Sequence, residues 1–286
     1  MAAEIRAFFH NTSSTYSYVV SDPASRHAAV IDPVLDYDAA AGRTDTASAQ
    51  AIVSYVRSAG LQLDWILETH AHADHLSAAQ FIKQELGGTL AIGEGIRKVQ
   101  AVFAKLFNIE AELHTDGSQF DHLFHDGEEF KIGELHGKAM ATPGHTSDSL
   151  TYVIEDAAFV GDTMFMPDSG TARCDFPGGD AGMLYDSIYR TLSLPETTRL
   201  FMCHDYAPGG REYRNETTVA EQKRDNIHVH DGISRDEYIA MRTARDKTLK
   251  VPALLLPAVQ VNIRAGKLPD PESNRTRYLK IPLDKF

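Results

Sequence analysis

The feature that most constrains the fold is a dense cluster of metal-binding residue types directly after a short apolar run. The run Trp65-Ile66-Leu67 precedes the motif His70-Ala71-His72-Ala73-Asp74-His75, which holds three histidines and one aspartate within six residues. Imidazole and carboxylate groups are the ligands that suit zinc and non-haem iron. A purely structural role for so dense a cluster is uncommon. We therefore expect a strand over 63–67 that delivers His70 to a metal site.

Three more residues of ligand type follow other short apolar runs that we predict to be strands. These residues are His145, Asp162 and His204. Counted from His75, each follows the ligand-type residue before it by 70, 17 and 42 positions in turn. No single helix can gather side chains so far apart in sequence. Strand ends in a sheet can gather them, and a rigid sheet holds ligands in the fixed geometry that a metal site requires.

Composition and charge favour a globular enzyme of the cytoplasm. The chain has 286 residues, of which 43% are hydrophobic, so it can bury an ordinary core. A net charge of −12 argues against non-specific nucleic-acid binding, and it means that an anionic substrate must be met by local Arg or Lys. We expect no membrane partner, because no apolar stretch has spanning length and no signal peptide is visible. Cys174 and Cys203 build no disulfide framework, and we expect both to be packed small residues.

We predict one catalytic domain over residues 1–250 and a C-terminal tail over 251–286. The tail contains five prolines, so we expect it to have little regular structure and to wrap the core. We predict a helix over residues 96–107 and a long polar loop from Glu110 to Gly127.

The ordered ligand set resembles the signature of the metallo-β-lactamase superfamily over roughly residues 5–205. That resemblance implies an α/β fold, a four-layer αββα sandwich in which two mixed β-sheets are flanked by helices, with the site between the sheets at one edge. In the dinuclear hydrolases of the family, the matching residues hold two Zn²⁺ ions. The first ion would take His70, His72 and His145, the second would take Asp74, His75 and His204, and Asp162 would bridge them.

A second layer of motifs resembles the persulfide dioxygenases, the group related to the human ethylmalonic-encephalopathy protein. The motifs are Thr142-Pro143-Gly144-His145-Thr146, Gly161-Asp162, Arg173-Cys174-Asp175-Phe176 and His204-Asp205-Tyr206. This resemblance implies a single Fe(II) per chain held by a two-histidine, one-carboxylate triad, which leaves open positions for dioxygen and the substrate sulfur. The triad would be His70, His145 and Asp162. The remaining ligand-type residues, which would lie around the iron or hold a second metal, are His72, Asp74, His75 and His204.

The resemblance implies an enzyme that oxidises glutathione persulfide, or a related low-molecular-weight persulfide, with O2 to sulfite and a thiol in sulfide detoxification. The alternative is a dinuclear zinc hydrolase of the hydroxyacylglutathione hydrolase (glyoxalase II) type that cleaves a thioester. A homodimer is possible, although nothing in the sequence identifies an interface. The candidate substrate-binding residues are Arg173, Tyr206 and Arg214. Arg173 could instead pair with Asp175, and Tyr206 could instead support His204.

Overall fold

The computed structural model describes residues 2–285, over which short strands alternate with helices. The strands are β1 (Glu4–His10), β2 (Thr15–Ser21), β3 (His27–Ile31), β4 (Val34–Asp38), β5 (Arg43–Asp45), β6 (Gln62–Leu67), β7 (Leu76–Ser77), β8 (Thr89–Gly93), β9 (His122–Phe124), β10 (Glu129–Ile132), β11 (Leu135–Ala141), β12 (Leu150–Ile154), β13 (Ala157–Phe159), β14 (Arg199–Phe201) and β15 (Glu216–Thr218). The helices are α1 (Ala47–Ser58), α2 (Ala79–Leu86), α3 (Ile96–Phe107), α4 (Ala181–Leu192), α5 (Val219–Asp225), α6 (Arg235–Asp246) and α7 (Leu255–Asn262).

The strands form two six-stranded sheets, and both sheets are mixed. In the first sheet the spatial order is β1-β2-β3-β6-β8-β9, antiparallel across β1 to β3 and parallel from β3 to β9. The second sheet runs from β10 to β15 in chain order and is antiparallel except between β13 and β14. A small third sheet joins β5, β4 and β7.

Both faces of the first sheet are buried, as its sequence pattern shows. Successive side chains of a strand point to opposite faces, so neighbours along a strand belong to different cores. On β2, Val20 packs toward the second sheet while Val19 packs toward helices. On β3, Ile31 likewise packs toward the second sheet, and Val30 packs toward helices. The near-continuous apolar runs of these strands follow from this double burial.

Helices cover the outer faces of both sheets. Helices α1, α2, α3 and α7 contribute buried apolar side chains to the outer core of the first sheet. Helices α4, α5 and α6 do the same for the second sheet. The order of layers is therefore helix, sheet, sheet, helix, and the predicted four-layer αββα sandwich is confirmed.

The C-terminal tail contains more regular structure than its prolines suggested. Helix α7 is buried in the outer core of the first sheet, where Leu255 and Val259 are almost completely covered. Pro257 lies in the first turn of this helix, where a missing N–H costs no hydrogen bond. The expectation of an irregular tail was therefore wrong for 255–262, which belongs to the packed domain.

The helix predicted over 96–107 is confirmed as α3, and Asn108 ends it in the left-handed conformation typical of a helix C-terminus. The loop predicted from Glu110 to Gly127, in contrast, is partly regular. His122, which we expected in a loop, lies in the edge strand β9 and pairs with Ala91 of β8. Within residues 2–285, no helix is long and apolar enough to span a membrane.

Candidate metal centre

The predicted ligand-type residues lie just beyond the ends of four strands. His70 follows β6, His145 follows β11, Asp162 follows β13 and His204 follows β14. Strand β6 belongs to the first sheet and the other three strands belong to the second. The sheets therefore bring the four segments to one edge of the sandwich, as the spacing of the motifs predicted.

One group of donors joins the two sheets. Single donor atoms of His70, His145 and Asp162 lie within 4.8 Å of one another, and all three residues are buried. The distance from His145 Nε2 to Asp162 Oδ2 is 3.6 Å. Two imidazoles and one carboxylate at this spacing match the donor set of a non-haem iron site.

A second group of donors lies beside the first. Its members, whose donor atoms again lie within 4.8 Å of one another, are His72, Asp74, His75 and His204. His204 Nε2 is 3.3 Å from Asp74 Oδ2 and 3.3 Å from Asp162 Oδ1. The Asp162 carboxylate therefore faces both groups, one oxygen toward each.

A buried carboxylate anchors the two histidines at the start of the motif. Asp32, at the end of β3, accepts a hydrogen bond from Nε2 of His72 at 3.0 Å. The hydroxyl of Thr69 donates to the other Asp32 oxygen at 2.9 Å and lies 3.0 Å from Nδ1 of His70. These contacts leave His70 Nε2 and His72 Nδ1 directed at the site. Such outer hydrogen bonds fix both the orientation and the tautomer of a metal-binding histidine.

The loop that carries Arg173 anchors the third histidine. Nδ1 of His145 donates to the backbone carbonyl of Arg173 at 2.7 Å, which leaves Nε2 facing Asp162. Gly144, just before it, has φ +138°, and a Cβ there would lie 2.3 Å from backbone atoms of Leu184. Only glycine fits at this point, because helix α4 packs directly against the turn that presents His145.

Burial keeps the imidazoles of His70 and His72 neutral. Desolvation, together with the neighbouring His72 and His145 rings, holds the pKa of His70 well below its usual range. The pKa of His72 is lowered in the same way by burial and by His75. A metal binds neutral imidazole, so these groups need to lose no proton before they act as ligands near neutral pH.

The donor atoms also lack hydrogen-bond partners, which is costly for buried polar groups unless a cation satisfies them. Among residues 2–285, the buried site atoms that have no partner are His70 Nε2, His72 Nδ1, Asp74 Oδ2, both ring nitrogens of His75, Asp162 Oδ1 and His204 Nε2. Orphaned atoms of this kind, concentrated in one place, fit a metal centre. Both donor groups contribute to the set.

A cavity of about 340 Å³ opens onto the donors and holds two of the three predicted substrate residues. Arg173 lines the cavity, but its guanidinium binds Asp175 at 2.6 and 2.7 Å and the carbonyl of Lys250 at 2.6 Å. Tyr206 also lines the cavity, and its ring stacks on His204 with centroids 5.9 Å apart. Both alternative contacts considered from the sequence are therefore present: Arg173 pairs with Asp175, and Tyr206 packs against His204.

Arg214, the third candidate, lies elsewhere. Its side chain is exposed and does not line the cavity, and its backbone N–H donates to Asp205. The arginine that makes structural contacts in this segment is Arg211, which binds the carboxylates of Asp205 and Asp168. The placement of Arg214 in the substrate site is therefore corrected.

Both cysteines are buried and free, in agreement with their predicted packing role. Burial and the neighbouring Asp246 carboxylate, which lies 3.3 Å from the sulfur, raise the pKa of Cys174 to about 12. A thiol with so high a pKa holds its proton at neutral pH and is a poor nucleophile.

Three supporting residues escaped the sequence analysis. Asp32 follows the strand β3 in the same strand-end position as the ligands, and this signal could have identified it. Asp148 accepts from the N–H of Ala71 at 2.8 Å, and Asn262 binds the motif loop from helix α7. The last two carry no sequence signal that separates them from other polar residues.

Comparison with known proteins agrees with this architecture. A protein-family model described as the Metallo-beta-lactamase superfamily matches residues 10–204. The chain is 53% identical to a probable metallo-hydrolase of Burkholderia pseudomallei, with 98% of this chain and 99% of the relative aligned. It is 49% identical to glyoxylase B2 of Dictyostelium discoideum, with 99% and 97% aligned. The chain spans 64% of the length of a beta-lactamase hydrolase-like protein from Xylella fastidiosa, to which it is 52% identical.

Two further likenesses are to proteins named ETHE1. The crystal structure of ETHE1 from Myxococcus xanthus matches with a TM-score of 0.74 at 31% identity, covering 92% of this chain and all of that one. The human mitochondrial persulfide dioxygenase ETHE1 is 29% identical, with 92% of this chain and 88% of the relative aligned.

Proposed function

The chain belongs to the metallo-beta-lactamase superfamily, and we propose that within it the protein is an iron-dependent persulfide dioxygenase. The substrate would be a low-molecular-weight persulfide such as glutathione persulfide. Oxidation of its terminal sulfur with O2 and water would give sulfite and the free thiol. The superfamily and the presence of a metal-type site rest on the family match and the donor geometry. The reaction and the metal are the proposal.

One observation carries this proposal. His70, His145 and Asp162 each bring one donor atom within 4.8 Å of the other two. His72 meets this distance with the second set, although its ring centroid lies 4.0 Å from that of His70. A dinuclear hydrolase would use His72 together with His70 and His145 on one metal, as the family resemblance implies. Two histidines and one carboxylate, taken alone, are the donor set of iron enzymes that use dioxygen. The likeness to ETHE1 of Myxococcus xanthus supports the same choice.

The residues of the chain have defined roles in this proposal. His70, His145 and Asp162 would hold the metal, and a bound Fe(II) would supply the redox chemistry with dioxygen. The carbonyl of Arg173 orients His145 directly, and the carboxylate of Asp32 orients His70 through the hydroxyl of Thr69. Aromatic side chains of the cavity wall would bind the apolar part of the substrate and reduce its contact with water. These aromatic residues are Phe165, Phe176 and Tyr206.

Thioester hydrolysis is the second candidate, and the more similar relatives favour it. Proteins at 53% and 49% identity bear the names probable metallo-hydrolase and glyoxylase B2, whereas persulfide dioxygenases are more distant at 29%. The second donor group also gives this reaction a place for a second metal. As far as relatedness decides, the hydrolase is the better supported of the two.

Parallel assays separate the two reactions. The protein as isolated is supplied with glutathione persulfide in an oxygen electrode, and with S-lactoylglutathione in a thioester-cleavage assay. The proposal predicts oxygen uptake with sulfite formed, and little cleavage of the thioester. His145→Ala should abolish oxygen uptake, while His136→Ala, a matched change of an exposed histidine on β11, should leave it unchanged. Thioester cleavage without oxygen uptake would establish the hydrolase instead.

A further inference from the structure

We propose that Cys203, together with Asp162 and His204, forms a cation position at the metal centre that favours a thiophilic ion such as Zn²⁺ or Cd²⁺. The ligand set that the family resemblance implies contains only histidines and aspartates, so a sulfur donor lies outside it. The inference goes beyond the proposed reaction and holds for either candidate function, because it concerns the donors alone.

The alternation of side chains beyond β14 turns Cys203 toward the space between the sheets. Successive side chains of an extended segment point to opposite faces. Leu200 and Met202 belong to the outer core of the second sheet, whereas Phe201 belongs to the core between the two sheets. Cys203 is the next residue on the inner side, and it is buried. Its carbonyl accepts from the N–H of Tyr16 at 2.7 Å, which ties this segment to β2 of the first sheet.

The thiol of Cys203 lies among metal-type donors from both sheets. Its sulfur, one donor atom of Asp162 and one of His204 lie within 4.8 Å of one another. The sulfur also meets this distance with donor atoms of Asp32 and His72, which lie at the edge of the first sheet. All five residues are buried. The thiol is therefore within reach of a cation that the Asp162 and His204 side chains hold.

Asp162 and His204 offer such a cation two atoms that have no other partner. Asp162 Oδ1 and His204 Nε2 are 3.3 Å apart, on side chains that are 9% and 0% exposed, and over residues 2–285 neither atom has a hydrogen-bond partner. The other ring nitrogen of His204 lies 3.3 Å from the carbonyl oxygen of Ser14. Because a carbonyl can only accept, this Nδ1 carries a proton, and Nε2 is left to face Asp162. A cation satisfies both buried atoms at once.

A sulfur donor changes which cation this position prefers. Thiolate is a soft ligand that selects zinc and similar thiophilic ions, whereas imidazole and carboxylate alone also suit iron and manganese. The thiol loses its proton as the bond between sulfur and the cation forms, and the proton is released. Cys174 provides the contrast, because it is also buried but belongs to no group of metal-type donors in the part of the chain that the structure describes.

The Asp162 carboxylate connects this position to the first donor group. Its Oδ2 lies 3.6 Å from His145 Nε2, while its Oδ1 faces His204. A thiophilic ion bound with Cys203 would therefore share this carboxylate with the metal that His70 and His145 hold.

Titration with Cd²⁺ tests the inference, because a bond between cadmium and a thiolate adds an ultraviolet absorption band that cadmium bound to nitrogen or oxygen lacks. Difference spectra of the full-length protein as isolated are recorded while Cd²⁺ is added. The band reports the bond between sulfur and cadmium whether the ion adds to the centre or replaces a cation there. We expect the band in the wild-type protein and its loss in Cys203→Ser.

Calorimetric titration measures the preference for a soft ion. Cys203→Ser should raise the Kd for Cd²⁺ by about tenfold or more, since a direct donor counts for at least as much as an outer partner of a ligand. The Kd for Mn²⁺, a hard ion, should stay unchanged, because it gains little from sulfur. Equal losses of affinity for the two ions would overturn the inference, since they would report general damage to the centre.

Two further variants complete the test. Cys203→Ala places no polar atom in the site, so it should also lack the band if serine disturbs the packing. Cys174→Ser removes the other buried thiol and should keep both the band and the Kd of the wild type. A wild-type protein without the band, a band that survives in both Cys203 variants, or a band lost in Cys174→Ser overturns the inference. Oxygen uptake and thioester cleavage are measured separately, so failure here leaves the assignment of the reaction untouched.

Discussion

The side-chain amide of Asn262 donates a hydrogen bond of 2.8 Å to the carbonyl oxygen of His75, 187 residues earlier in the chain. The same nitrogen donates to the carbonyl of His72 at 2.8 Å, and the amide oxygen accepts from the N–H of Ser77 at 2.8 Å. Asn262 ends helix α7 and is buried. One residue near the C-terminus therefore holds both ends of the loop that carries Asp74.

Replacing Asn262 by leucine should destabilise the protein and weaken metal binding together. Two carbonyls and one N–H would lose their partner in a buried place, so the free energy of unfolding should fall by about 3 kcal/mol. Urea denaturation of the metal-free protein measures this loss, and titration with metal measures the affinity. The matched control is Asn274→Leu, at an exposed position in the tail. Unchanged stability and affinity in Asn262→Leu would show that α7 does not fix the motif loop.

Asp32→Asn should lower metal affinity without unfolding the protein. The amide oxygen can still accept from the Thr69 N–H and from His72 Nε2. The NH2 group that replaces Oδ2 cannot accept from the Thr69 hydroxyl, which lies 3.0 Å from Nδ1 of the ligand His70. Loss of such an outer partner typically reduces metal affinity by about tenfold or more. Competition with a chromogenic chelator measures the change. Asp38→Asn, at the exposed end of β4, supplies the control. Equal affinities in the two variants would contradict the anchoring role of Asp32.

His228 should make the stability depend on pH on the acid side. Burial, then the nearby Arg242 and Arg245, lower the pKa of His228 to about 4, and its Nδ1 accepts from the N–H of Thr171 at 3.0 Å. An unfolded histidine has a pKa of about 6.5, so between these values the unfolded state binds more protons. The contribution of His228 is therefore complete above pH 6.5 and is lost as the pH falls toward 4.

Comparison of wild type with His228→Asn isolates this contribution from the other histidines. Between pH 6.5 and 4 the unfolding free energy of the wild type should fall more steeply, by up to about 1 kcal/mol per pH unit. This is less than the single-proton limit of about 1.4, because the ring keeps some contact with solvent. Denaturation of metal-free protein at several pH values gives the slopes. Parallel slopes for the two proteins would show that His228 is not held neutral by the fold.

Much of the site followed from local patterns in the sequence. Short apolar runs that end in His70, His145, Asp162 or His204 are strands whose ends meet, because a sheet aligns the ends of neighbouring strands. The mixed sheets and outer helices followed from resemblance, and the structure supports them through the division of residues such as Val19 and Val20 between two cores.

Contacts between distant segments were beyond sequence reasoning. Helix α7 was missed because proline suggested irregular structure, although Pro257 occupies the first turn, where it is tolerated. The sequence does not distinguish Asn262 from other polar residues, and only the structure shows its contacts with the motif loop. Arg214 was assigned to the substrate because a free arginine suits an anion, yet its side chain is exposed and does not line the cavity. The positions of α7, Asn262 and Arg214 relative to the site are determined by packing between segments that are distant in sequence.

Metal content tests the central claim, that His70, His145 and Asp162 alone hold the metal on which activity depends. Elemental analysis is applied to the protein as isolated, to His145→Ala and to His75→Ala, each of which removes one imidazole from a different donor group. The account predicts about one iron per chain in the wild type, near-complete loss in His145→Ala and retention in His75→Ala. Two zinc ions per chain, with metal lost from both variants, would contradict it and favour the dinuclear hydrolase.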